Sequence, residues 1–136
     1  MPNVKIYPDT THQTRLSMEA QDFREAYQLT QSPLVQDRSR QRNLITEEFK
    51  EFLEAEAMLY LSGTANKSNC LKELADLVYV CYQYAENMRW NLDEAMFRVH
   101  QSNMSKLDEY GKPIYREDGK VLKGPNYKPP NLEDLV

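Results

Sequence analysis

Residues 44–84 decide the fold, and two segments within them carry the pattern. The first is Leu44-Ile45-Thr46-Glu47-Glu48-Phe49-Lys50-Glu51-Phe52-Leu53-Glu54-Ala55-Glu56-Ala57-Met58. The second is Cys70-Leu71-Lys72-Glu73-Leu74-Ala75-Asp76-Leu77-Val78-Tyr79-Val80-Cys81-Tyr82-Gln83-Tyr84. At helical spacing, Leu44, Glu48, Glu51, Ala55 and Met58 share one face of the first segment. Cys70, Glu73, Leu77, Val80 and Tyr84 share one face of the second, with Asp76 three residues beyond Glu73. Carboxylates therefore interrupt two stripes that packing alone would fill with apolar side chains.

The flanking sequence extends the helical reading. Residues 34–110 contain no proline and one glycine, Gly63, whereas three of the four glycines and four of the seven prolines lie between Gly111 and Pro130. Because both residues interrupt helices, the pattern predicts a helical body over about 17–107 and an irregular tail from about 111 to 136. Four helices are expected: 17–29 with Ser17 as N-cap, 37–61 stopping before Gly63, 69–88, and a fourth capped by Asn91 with Glu94 at capping-box spacing and ending near 106. In the tail, Asp118-Gly119 between Ile114-Tyr115 and Val121-Leu122 predicts a small β-hairpin, followed by an extended segment. The whole of 1–136 reads as one all-α domain.

Composition narrows the function. Seventeen Lys and Arg against twenty-one Asp and Glu give a net charge of −4, which argues against a nucleic-acid or anionic-membrane coat. No apolar run reaches the roughly 18 residues of a membrane helix. Met1–Pro8 lacks the layout of a secretory leader, and Cys70 and Cys81 have no metal-site spacing. A cytoplasmic protein is the expectation.

Burying unpaired carboxylates is costly, and like charges three residues apart repel. Two inward acidic pairs, Glu48/Glu51 and Glu73/Asp76, therefore call for a cation. Oxygen donors without His or Cys favour Mg²⁺, with Mn²⁺ able to substitute. Glu47, Glu54 and Glu56 fit an ordinary solvated face. On the fourth helix the stripe Leu92, Met96, Val99 ends in Asn103 and Lys106, and the tail adds Lys120 and Lys123. Cations beside acid-held metal suit a polyphosphate. No glycine-rich phosphate loop occurs.

Glu48-Phe49-Lys50-Glu51, twenty-one further residues and Glu73-Leu74-Ala75-Asp76 resemble the ExxE…ExxD signature of the MazG-like all-α nucleotide pyrophosphohydrolases. Ser102–Lys106 and Gly111–Tyr127 are similar to a phage-type single-domain branch, MazZ, which makes dGMP from dGTP. The resemblance implies a four-helix bundle completed by oligomerisation, as homodimer or homotetramer. It implies Mg²⁺ held by Glu48, Glu51, Glu73 and Asp76, with Glu47 and Glu48 serving the attacking water. Asn103, Lys106, Lys120, Lys123 and Tyr127 would contact the triphosphate. The expected activity is hydrolysis of dGTP or GTP to the monophosphate and pyrophosphate. The competing expectations are the same chemistry on dUTP or dCTP, or a non-catalytic nucleotide-sensing or adaptor oligomer.

Overall fold

The computed structural model describes residues 14–136 and places four α-helices and two 3₁₀ turns in them. The helices are α1 (Arg15–Ala26), α2 (Val35–Ala57), α3 (Thr64–Met88) and α4 (Leu92–Met104), with 3₁₀ turns at Met58–Tyr60 and Glu133–Leu135. The secretory-leader reading of Met1–Pro8 falls outside the described residues. No helix is long and apolar enough to cross a membrane among the described residues.

Local hydrogen bonding moves several boundaries from their expected places. Thr14, not Ser17, caps α1: its Oγ1 accepts from the Leu16 N–H at 3.2 Å. Thr14 is fixed there because its N–H and Oγ1 both donate to the Asp93 carboxylate, each at 2.7 Å. Ser17 instead lies buried within the helix. α1 ends at Ala26 because Gln28 turns left-handed (φ 56°) and the Leu29 N–H closes on the Arg24 carbonyl at 2.8 Å. α2 stops at Ala57 and tightens into a 3₁₀ turn rather than continuing to Leu61. α3 begins at Thr64, directly after Gly63, five residues before the expected start. Asn91 does cap α4, its side chain accepting from the Glu94 N–H at 3.1 Å.

The expected β-hairpin is not formed. Only one antiparallel bridge, Tyr115–Val121, joins the two flanks among the described residues. The next hydrogen-bonded pair outward, Lys112 opposite Gly124, is diverted: the Lys112 N–H donates to Asp108 Oδ1 (2.8 Å) and the Gly124 N–H to the Lys106 carbonyl, so the ladder does not grow. Beyond that bridge the tail bonds to α4 and the residues at its two ends. Gly124 N–H donates to the Lys106 carbonyl (2.8 Å), Ser102 Oγ to the Lys128 carbonyl (2.7 Å), and Asn91 N–H to the Leu135 carbonyl (3.1 Å). The chain thus returns along α4 to its start. At Gly124 a Cβ would stand 2.3 Å from the Leu107 carbonyl oxygen, so only glycine allows this approach.

α2 and α3 form a helical hairpin through the 3₁₀ turn, and α1 packs on α3. α4 packs mainly on the terminal 3₁₀ turn, so one chain does not close a bundle around α2. The interior is largely polar. Arg24 is buried with neutral acceptors: Gln83 Oε1 at 3.3 Å, Asn87 Oδ1 at 3.1 Å and the Thr30 carbonyl at 2.9 Å. Buried apolar side chains among the described residues are few, Ala20, Ala55, Tyr82, Ala85 and Leu135, while Leu71 remains 67% exposed.

Candidate active site

The α2–α3 hairpin brings together acids that lie far apart in sequence. One carboxylate oxygen each from Glu48, Glu73 and Asp76 lie within 4.8 Å of one another. Glu48 Oε2 and Glu73 Oε2 are buried with no hydrogen-bond partner among the described residues. Burial, then the charges of Glu51 and Asp76, a side-chain hydrogen bond to Glu51 and the charge of Glu73 hold the Glu48 carboxyl above the usual carboxylate range. Orphaned anionic oxygens this close are unfavourable alone and match the hard-donor shell of a divalent cation. The residues fit such an ion.

Lys72 was not singled out by the sequence pattern, yet it bounds the cluster. Its Nζ donates to Asp76 Oδ2 at 2.8 Å and Glu73 Oε1 at 3.2 Å, bonds that push its own pKa above the usual lysine value. The i,i+4 spacing of Lys72 and Asp76 is the signal that could have found it. One exposed ammonium against three carboxylates leaves the cluster net negative.

The other expected site residues lie differently. Glu51 is exposed and adjoins Glu48 without joining the group of three, and Glu47 is exposed on the neighbouring face. Asn103 and Lys106 stand at the far end of α4, where the Lys106 carbonyl holds the tail. Lys123 Nζ lies over the Tyr127 ring at 4.7 Å, so these two meet each other, and Lys120 closes the turn by accepting from the Arg116 N–H at 2.8 Å. Within one chain α4 has no extensive contact with α2, so Asn103 and Lys106 are not assembled with the acids as a single packed unit.

A helical hairpin that gathers three carboxylate oxygens within 4.8 Å of one another is a candidate divalent-cation site. The phosphoribosyl-ATP pyrophosphohydrolase family model matches residues 15–103, and the chain belongs to that MazG-like all-α family. The match spans α1 to near the end of α4, including all four acids and Asn103, and leaves Lys106 and the tail outside. No individual curated protein matches the chain. Members of the family are divalent-metal-dependent pyrophosphohydrolases of nucleotides.

Proposed function

We propose that this protein hydrolyses a purine deoxynucleoside triphosphate, dGTP foremost with GTP also accepted, to the monophosphate and pyrophosphate with Mg²⁺. The observation that carries the reading is the Glu48–Glu73–Asp76 group with its two orphaned inward oxygens. Mg²⁺ bound there polarises the phosphoryl group and lowers the pKa of the attacking water. Glu48, Glu73 and Asp76 hold the ion, with Glu51 beside Glu48 completing its negative surroundings. Glu47, next to Glu48, takes the proton of the attacking water. The guanine assignment is supported by the likeness of Gly111–Tyr127 to the phage-type branch.

The active unit is an oligomer, at least a homodimer. Leu71, Leu74 and Val78 leave an apolar strip on α3, exposed at 67%, 42% and 39%, which a second copy would cover. In that assembly Asn103, Lys106, Lys120, Lys123 and Tyr127 of one copy reach the phosphates held by the acids of the other. The family match favours a second substrate, phosphoribosyl-ATP itself, cleaved at the same α–β bond.

One assay separates these readings: product analysis with Mg²⁺ on dGTP, GTP, dATP, dUTP, dCTP and phosphoribosyl-ATP. Pyrophosphate with dGMP as the most efficiently formed monophosphate is expected, and Asp76→Asn should lower the rate at least about a hundred-fold. Preference for phosphoribosyl-ATP or a pyrimidine would replace the substrate but keep the chemistry. Release of inorganic phosphate would overturn it.

A further inference from the structure

Gln41 is the most buried residue of α2 after Ala55, at 8% exposure, and its Oε1 has no hydrogen-bond partner among the described residues. Glutamine is seldom so buried, and an unpaired buried amide oxygen costs about 1–3 kcal/mol. Such a group in a native fold requires an explanation. Gln41 donates nothing visible to helix capping or to the Arg24 network, so stability does not supply one.

Its position does. Gln41 and Glu48 are seven residues apart on the same stripe of α2, which puts the amide two turns, about 10 Å, from the acidic cluster along the helix axis. Gln41, Glu48 and Glu73 supply three of the five orphaned buried side-chain atoms among the described residues. In the other direction from Glu48 the stripe runs through the carboxylate of Glu51 and then Phe52, Ala55 and Met58, none of which offers an uncharged hydrogen-bonding side chain. A nucleotide anchored by its phosphates at the acids therefore meets an uncharged donor–acceptor pair on this stripe at Gln41, the side away from Glu51.

We infer that Gln41 is the base-reading residue of this site, its amide hydrogen-bonding a nucleobase edge that presents an N–H beside an acceptor, a role that rests on the pyrophosphohydrolase reading above. Oε1 accepts from the base N–H while Nε2 donates to the adjacent carbonyl or ring nitrogen. Guanine offers that pair in N1–H and O6. Binding replaces the missing partner, so the cost carried by the free protein becomes discrimination in favour of a base with the right edge.

The test uses Gln41→Met, similar in length but without the amide, on the full chain with Mg²⁺. Pyrophosphate release is measured for the best nucleotide and for 2-deoxyribose 5-triphosphate, which lacks a base. The variant should lose about ten- to a hundred-fold in kcat/KM on the nucleotide while keeping the rate on the baseless substrate. Without nucleotide it should melt no lower than the wild type, since the amide has no partner to lose. An unchanged ratio between the two substrates overturns the role of Gln41 and leaves the enzyme reading intact. A lowered melting temperature shows that the amide is bonded within the fold and equally overturns it. A wild type that releases pyrophosphate from neither substrate overturns both.

Discussion

Glu48 concentrates the conflict between folding and function in a single side chain. Its carboxyl is buried enough to be held above its usual pKa and stands among Glu51, Asp76 and Glu73, so the metal-free fold bears a repulsion that a neutral isostere would relieve. Glu48→Gln should therefore melt about 2–5 °C higher than wild type in chelator, by calorimetry. Mg²⁺ should raise the wild-type melting temperature and leave the variant nearly unmoved, because only a ligand that binds the native state shifts it. The same variant should be inactive. A variant less stable than wild type in chelator would mean that the carboxylate is held by bonds within the fold. Lys72 offsets part of the repulsion, but from the exposed edge, where a salt bridge contributes little.

Among the elements, the terminal 3₁₀ turn depends on one arginine. Arg98 Nε donates to Glu94 Oε1 at 2.9 Å, and Nη1 and Nη2 form a bidentate pair with Asp134 at 2.6 and 3.0 Å. Nη1 also donates to the Asn131 carbonyl at 2.9 Å, and Leu135 is buried beneath the turn. The Arg98 hydrogen bonds hold the Asp134 carboxyl below its usual pKa. A depressed carboxylate pKa stabilises above the unfolded value and ceases to do so as pH falls through the folded one. Asp134→Asn should thus melt below wild type at neutral pH, and the two should converge as the pH falls below the ordinary carboxylate range. A gap independent of pH would show that the charge is not what fastens the tail. The tail's docking also limits the expected hairpin to one bridge: the residues that would extend it, Lys112 and Gly124, bond instead to Asp108 and Lys106.

At the scale of the whole molecule, so few apolar side chains are buried among the described residues that a second copy is expected to add stability, since burial of apolar surface is the main favourable contribution to folding. Light scattering at assay concentration should give at least a dimeric mass. Leu71→Arg combined with Leu74→Arg should give a monomer that no longer releases pyrophosphate, because Asn103 and Lys106 would then have no second copy to serve. A fully active monomer would remove the shared-site proposal. The helix count, the Asn91 cap and the inward placement of Glu48 and Glu73 were legible in the sequence because each depends on spacing along one helix or on neighbours within a turn, whereas Glu51, expected inward by the same spacing, is exposed. Helical periodicity placed Glu48 and Glu73 on otherwise apolar stripes, and the fold buries one carboxylate oxygen of each. Tertiary structure decided the rest. Only the antiparallel docking of α2 on α3 could choose Glu48, Glu73 and Asp76 as the three that converge and leave Glu51 at the margin, since one-dimensional spacing does not fix the rotation of one helix against another. Only long-range bonds such as Thr14 to Asp93 and Gly124 to Lys106 could set the start of α1 and the path of the tail, and no local propensity encodes a partner so many residues away.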